Sequence, residues 1–167
     1  MCRYAKKMQI TDPVTMLTDY ALGAENLFFA FSTYRRFHSR NRVTGLLLLL
    51  GFLAESLSGF AGGTFHGFAA HLQRATLQAI WNLTMISSGA TLGLLASAIH
   101  AAEVHWENGK WIVAGVVIGV AGLGVQLTGF RAHQAWNHND IFHLILMGAM
   151  YLFYRGARHL KDRAAVL

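Results

Sequence analysis

The residues best suited to chemistry lie in residues 137–143, which include two histidines, two asparagines and an aspartate. On a helix, Asn139, Asp140 and His143 would share one face, because residues three and four apart are neighbours. An imidazole, a carboxylate and an amide on one face are able to bind a metal or relay a proton. A structural interpretation is equally open, with Asn139 as the helix N-cap, Asp140 in the first turn and His143 bonded to a neighbouring helix.

The composition indicates an integral membrane protein. The chain has 167 residues, of which 54% are hydrophobic and 13% charged, whereas soluble domains have about 25% charged residues. The formal net charge of +6 comes from basic residues that bracket apolar segments. This placement favours contact with anionic lipid headgroups and argues against a nucleic acid partner.

Five apolar segments predict an all-α fold, a polytopic transmembrane helix bundle that forms a single integral membrane domain over residues 1–167. Thr11, Asp12 and Pro13 are typical of a helix start, with a capping side chain and proline at the first helical position. Gly59 and Gly63 predict a close approach between helices. The predicted spans are residues 14–34, 45–68, 76–101, 111–130 and 139–154.

The distribution of basic residues predicts the orientation of the bundle. On one side of the predicted spans, the first loop, the third loop and the C-terminal tail hold nine of the 14 Lys and Arg residues. Basic residues concentrate on the cytoplasmic side of membrane proteins. We therefore expect the N-terminus outside and the C-terminus in the cytoplasm, in a multi-pass protein of a bacterial-type inner membrane.

Polar residues from separate spans fall at similar depths in this topology. Ionisable groups inside a membrane are costly and commonly mark a site, although each of these residues alone also has a structural explanation. The sequence therefore predicts a polar site towards the outer end of the bundle. Its outer group comprises Asp19, His66, Asn82, Asn139, Asp140 and His143, and its deeper group comprises Glu25, Glu55 and Ser58.

Such a site has the ligands of a catalytic zinc. Two histidines, His66 and His143, together with one oxygen donor would leave one coordination position open for water. Zinc lowers the pKa of bound water to about 7, and a nearby carboxylate would take the proton. Ser58 would donate a hydrogen bond to an oxyanion. The candidate bases are Asp19, Glu55 and Asp140.

Residues 141–143 resemble the last-helix motif of the CREST superfamily of membrane hydrolases, which includes alkaline ceramidases, haemolysin III-like proteins and adiponectin-type receptors. In that family, a His-x-x-x-His pair on the last helix and one earlier histidine bind zinc. His143 matches the second histidine of the pair. His66, which follows Glu55 and Ser58, is similar to the earlier ligand. The resemblance implies a zinc-dependent hydrolase of lipid amides or esters.

The resemblance covers about two spans and departs from the family at three points. The family's Ser-x-x-x-His spacing is absent, because the residue four before His66 is Gly62. The first histidine of the pair is replaced by Asn139, so the resemblance implies that His138 or Asp140 completes the ligand set. The family has seven spans, whereas this sequence has five predicted spans. The replacement at Asn139 also leaves open a relative that has lost both metal and activity.

Two further functions are compatible with the sequence. A b-type haem would require histidines of matched depth on facing helices, as His66 and His143 are predicted to be. Alternatively, the protein is a non-catalytic subunit of a larger membrane complex, without a cofactor of its own. Its glycine-rich spans would then pack against partner membrane subunits, and its polar residues would hold the bundle together or bind pigment or lipid.

Overall fold

Five α-helices contain most of the residues that the computed structural model describes, which are residues 9–36, 41–133 and 136–163. The all-α class is therefore confirmed, and each helix overlaps one predicted span. Two short strands, β1 (Ala102–Glu103) and β2 (Lys161–Asp162), pair in antiparallel fashion. The helices are α1 (Pro13–Tyr34), α2 (Arg42–Phe68), α3 (Arg74–Ala101), α4 (Trp106–Thr128) and α5 (His138–Ala157).

Among the described residues, three helices are long and apolar enough to cross a membrane, namely α2, α3 and α4. A span requires about 20 apolar residues, and these helices have 27, 28 and 23 residues. The chain thus has the composition of a helical membrane protein. Membrane crossing by α1 and α5, and the orientation of the bundle, stay predictions.

Helix α1 lies at the centre of the packing order. It packs against α2 on one side and against α5 on the other, while α3 packs against α2 and α4 packs against α5. The order of contact is thus α3, α2, α1, α5 and α4. Helix α1 therefore contributes to any site that combines residues of α2 and α5.

Two carboxylates fix the starts of α1 and α2. As predicted, Asp12 caps α1 by accepting a hydrogen bond from the Thr15 N–H, and Pro13 is the first helical residue. Helix α2 is capped from a distant segment, because the Asp162 carboxylate in β2 accepts bonds from the backbone N–H groups of Val43 (3.0 Å) and Thr44 (2.8 Å). The C-terminal strand thereby holds the start of α2.

The predicted close approach between helices is confirmed at the α1–α2 interface. A Cβ atom added at Gly59 would lie 2.7 Å from the backbone oxygen of Asp19 and 2.7 Å from the backbone nitrogen of Gly23. A Cβ added at Gly63 would lie 2.5 Å from the Tyr20 ring. Because no side chain fits in these gaps, the glycines let the two backbones meet.

Aromatic packing fills the half of the bundle nearer the end of α1. The rings of Phe29 and Tyr154 stack with centroids 4.4 Å apart, and Phe52 meets Phe29 edge-on at 5.6 Å. All three side chains are buried. Helices α1, α2 and α5 thus share an apolar core in this half.

The glycine contact can be tested with Gly59→Ala. We expect this substitution to destabilise the protein by about 1–3 kcal/mol, because overpacking forces the backbone to shift. The matched control is Gly93→Ala in α3, where no atom lies within 4 Å of the added Cβ and alanine favours the helix. Thermal unfolding in detergent measures both variants. Equal melting temperatures for the two would contradict the proposed close contact.

Replacing Asp162 with alanine tests the distant cap of α2. Burial raises the pKa of Asp162, but hydrogen bonds from backbone N–H groups, chiefly that of Thr44, lower it more. The pKa of Asp162 therefore lies below its usual range. The cap therefore stabilises fully above the ordinary carboxyl pKa of about 4, and its contribution disappears as the pH falls through the lower folded value. We expect Asp162→Ala to cost about 1 kcal/mol at neutral pH.

The control for this experiment is Glu107→Ala, which removes an exposed acid that pairs with Lys110 within α4. The difference in stability between wild type and Asp162→Ala should shrink in strongly acidic buffer. A difference that stays constant across the acid range would show that the carboxylate charge does not contribute to the cap.

Candidate functional site

Asp140 joins the start of α5 to the start of α1. Its side chain is fully buried, and both carboxylate oxygens accept hydrogen bonds. The Thr15 hydroxyl donates to Oδ1 at 2.7 Å, and the Asn137 N–H donates to Oδ2 at 2.8 Å. The predicted location of Asp140 in the first helical turn is confirmed. Its hydrogen-bonding capacity is occupied by these structural contacts.

The N-cap of α5 is Asn137, so the interpretation of Asn139 as the cap is wrong. The Asn137 side-chain oxygen accepts from the N–H groups of Asn139 (2.8 Å) and Asp140 (3.3 Å). Together with the bond from the Asn137 N–H to Asp140, this forms a capping box. The Asn137 amide also donates to Thr15 (3.1 Å) and Asp12 (3.3 Å), which ties the cap to α1.

His143 is held by two neighbouring residues of α1. Its Nε2 lies 3.2 Å from Asp19 Oδ1, with the two side chains only 12% and 7% exposed. Its Nδ1 lies 3.1 Å from the Thr18 hydroxyl oxygen. That hydroxyl donates a hydrogen bond of 3.0 Å to the Thr15 carbonyl oxygen. The imidazole thus lies between a carboxylate and a hydroxyl, and both of its ring nitrogens are engaged.

Asp19 fits against α2 because residue 62 is a glycine. A Cβ added at Gly62 would lie 3.1 Å from Asp19 Oδ1 and 3.2 Å from Oδ2. Whereas Oδ1 meets His143, Oδ2 is buried and has no hydrogen-bond partner among the described residues. We call Asp19, His143, Thr18, Thr15 and Asp140 the polar cluster. One acceptor oxygen of this cluster, Asp19 Oδ2, is therefore available to a donor group.

The predicted residues Glu55 and Ser58 lie deeper along α2. Glu55 is buried, hydrogen-bonds to Thr91 and is close enough to Asp19 for the two carboxyl groups to interact electrostatically. The Ser58 hydroxyl contacts α3, at 2.7 Å from the Ser88 hydroxyl and 3.2 Å from a backbone oxygen. Glu55 therefore borders the cluster, while Ser58 links α2 to α3.

His66 lies at the edge of the same cluster, at the end of α2. Its side chain is half-buried, and it is within electrostatic range of His143, Asp12 and Asp140. Its carbonyl oxygen accepts a hydrogen bond of 3.2 Å from the Asp12 N–H. The structure thus brings His66 and His143 to one end of the bundle, as predicted from their matched depth.

Other predicted members of the site lie apart from it. The Asn139 side-chain oxygen accepts from Gln126 of α4 at 2.7 Å, whereas the side chains of Asp140 and His143 contact α1. His138 has a buried Nδ1 with no hydrogen-bond partner among the described residues. Asn82 is exposed on α3 and bonds to its neighbour Gln78. These three residues do not contribute hydrogen bonds to the cluster.

Zinc binding by His66, His143, His138 or Asn139 stays a prediction. Within residues 9–36, 41–133 and 136–163, no group of three or more His, Cys, Asp or Glu side chains is placed to hold a metal ion. Both nitrogens of His143 and the side-chain oxygen of Asn139 already have hydrogen-bond partners. Haem binding likewise stays a prediction.

What the site does contain is a chain of hydroxyl, imidazole and carboxylate, formed by Thr18, His143 and Asp19. A hydroxyl in contact with a base that is oriented by a third group is the arrangement that activates a nucleophile. Sequence reasoning identified His143 and Asp19 but missed Thr18. A threonine among apolar residues carries no distinctive signal, and its proximity to His143 depends on how α5 packs.

Substitution of Asp140 tests whether this carboxylate assembles the site. Asp140→Ala leaves the Thr15 hydroxyl and the Asn137 N–H without an acceptor, so we expect a loss of about 2 kcal/mol or more in stability. Asp140→Asn keeps one acceptor oxygen and should lose less. Thermal unfolding in detergent, with exposed Gln78→Ala as control, measures the effect. An Asp140→Ala variant as stable as the control would contradict this role.

Comparison with known proteins identifies the family of the chain without assigning a function. A family model described as a family of unknown function (DUF6962) matches residues 14–108 and 88–162, which together span all five helices. No curated protein and no solved structure matches the chain. Since these matches extend over most of its length, the chain belongs to the DUF6962 family.

Proposed function

We propose that this protein is an integral membrane protein that hydrolyses an ester or amide bond of a membrane lipid. The observation that carries the proposal is the position of His143, between the Asp19 carboxylate and the Thr18 hydroxyl. Hydrogen-bonded groups of this kind inside an apolar bundle are costly and commonly functional. Because the same three groups can accept, hold and return a proton, acid–base chemistry accounts for their combination.

Each of the three residues has a defined role in this proposal. Asp19 accepts a hydrogen bond from His143 Nε2–H, which leaves Nδ1 unprotonated and directed at Thr18. As the Thr18 oxygen attacks the lipid carbonyl, Nδ1 takes the hydroxyl proton and then delivers it to the leaving alcohol or amine. Water, deprotonated by the same imidazole, then cleaves the acyl–threonine ester and regenerates the hydroxyl.

The surroundings of Thr18 favour a substrate that arrives from the lipid phase. Leu17, the residue next to Thr18 in α1, is 62% exposed, so α1 presents apolar surface immediately before Thr18. An acyl chain can lie on this surface while its carbonyl group approaches Thr18. The buried Asp19 Oδ2, which has no hydrogen-bond partner, would accept a hydrogen bond from a hydroxyl or amide N–H of the substrate.

Four variants test the proposed roles, in an assay with fluorogenic lipid esters and lipid amides in mixed micelles. We expect Thr18→Ala and His143→Gln to lower kcat about 10²–10⁴-fold, the usual contribution of a positioned acid–base group. Thr18→Ser should keep substantial activity because it retains the hydroxyl. Asp19→Asn should lower kcat because the amide no longer favours the Nε2–H tautomer. Thr128→Ala, at an exposed position of α4, is the control.

Retained activity in folded Thr18→Ala protein would overturn the role of Thr18 as nucleophile. If that residual activity were abolished by a chelator and restored by zinc, the zinc-dependent mechanism implied by the CREST resemblance would account for it instead. Thermal unfolding of each variant separates loss of chemistry from loss of fold.

The second candidate function is that of a non-catalytic subunit in a membrane complex. It is favoured by the large exposed surfaces of α3 and α4. In the most apolar 18-residue stretch of each helix, only 22% (α3) and 17% (α4) is buried. Gly89 and Gly93 lie four residues apart on α3 with no atom within 4 Å of an added Cβ, as at positions where a partner helix packs closely. The polar cluster would then only hold the bundle together.

Gly93→Leu distinguishes this function from the first. In a subunit, the substitution should abolish co-purification of specific partner proteins while leaving the isolated chain equally stable, and the Thr18 and His143 variants should not change any lipid hydrolysis. A subunit role would be contradicted if the chain purified from its native membrane without partner proteins, and if the purified particles of wild type and Gly93→Leu had the same mass.

A further inference from the structure

The ends of α1 and α5 opposite the polar cluster meet in an exposed basic patch, formed by Arg35, Arg36, Arg158 and His159. A hydrogen bond between Ser32 and Tyr154 joins the last turns of the two helices. Arg35 and Arg158 follow directly as the C-caps of α1 and α5. From the geometry of this patch, we infer that it binds the phosphate headgroup of an anionic membrane lipid.

The cationic groups of the two helices are close enough to influence one another. Burial lowers the pKa of His159 below its usual value, and the neighbouring positive charges of Arg158 and Arg36 lower it further. Arg36 comes from α1 and Arg158 from α5, so the convergence depends on the packing of these helices. Positive charges that converge in this way are favourable when an anion binds between them.

The balance of charge at this end favours an anion. Each helix C-terminus carries about half a negative charge, so α1 and α5 together offset about one of the three guanidinium charges. The guanidinium groups that converge here are suited to bind a phosphate.

The apolar surface beside the patch identifies the anion as a lipid rather than a soluble phosphate. Phe28 and Phe31 are 62% and 57% exposed, and with Arg35 they share one face of α1 because they lie three and four residues apart. The Arg35 guanidinium lies 5.7 Å from the centre of the Phe31 ring. An acyl chain can therefore lie along the phenylalanines while its headgroup meets the arginines.

Native mass spectrometry from mixed micelles of phosphatidylglycerol and phosphatidylcholine tests the site. We expect wild-type protein to retain phosphatidylglycerol in preference. The double variant R36Q/R158Q should lower its affinity about 30-fold, or roughly fivefold for each arginine near an anionic surface. The matched control R74Q/R131Q removes two arginines from the opposite end of the bundle, where α3 begins and α4 has ended, and should bind as wild type does.

Nuclear magnetic resonance of His159 gives an independent measurement. Phosphatidylglycerol should raise the pKa of His159 in wild type, because the headgroup phosphate favours the protonated imidazole, and should have a much smaller effect in R36Q/R158Q. Equal loss of lipid in both double variants, no preference over phosphatidylcholine, or an unchanged His159 pKa would overturn the inference. Equal competition by inorganic phosphate would overturn the lipid assignment by indicating a soluble anion.

Discussion

The two hydrogen bonds accepted by the buried Asp140 carboxylate connect the start of one helix to the packing of another. One bond, from the Asn137 N–H, belongs to the capping box that starts α5. The other, from Thr15, attaches α5 to α1 at 2.7 Å. An unpaired carboxylate is very costly to bury, whereas a fully hydrogen-bonded one is tolerated. Helix α5 therefore gains its start and its attachment to α1 together, and His143 follows one turn later.

Helix α1 supports the site because it packs against α2 and α5 through different kinds of contact. Towards α2, glycines bring the backbones into contact, and Gly62 leaves room for the Asp19 carboxylate. Towards α5, hydroxyl and carboxylate groups make directional contacts with Asp140 and His143. Close backbone contact fixes the distance of α1 from α2, and the directional bonds fix the register of α5 along α1. A carboxylate of α1 thereby meets an imidazole of α5.

The sequence was sufficient to predict the helices because their signals are local. Apolar segments bounded by loops predicted all five, and Asp12 with Pro13 marked the start of α1. The depth of His66 and His143 also followed from helix order alone. By contrast, the interpretation of Asn139 as the N-cap was wrong, and helical spacing alone does not determine which neighbouring helix each side chain contacts. Asn139 pairs with Gln126 of α4, whereas Asp140 and His143 contact α1.

The residues that the sequence did not predict are those whose contacts are distant along the chain. Asp162 caps α2 across 118 residues, and no local pattern around either segment indicates this bond. Thr18 meets His143 across 125 residues, and before that contact is known it resembles any other helical threonine. Predicting these residues would require the arrangement of α5 on α1, which is set by several buried hydrogen bonds acting together rather than by composition.

The hydrogen bonds of the cluster also separate its structural part from the part available for chemistry. Both oxygens of Asp140 are fully used in holding helices together. Asp19 differs, since one oxygen meets His143 while the other is buried and has no hydrogen-bond partner among the described residues. A carboxylate that served only to attach α5 would be expected to satisfy both oxygens, because an unsatisfied buried acceptor costs about 1–3 kcal/mol. In the proposed mechanism, a substrate hydroxyl or N–H donates a hydrogen bond to Asp19 Oδ2, so that the substrate would lie beside Thr18 and His143.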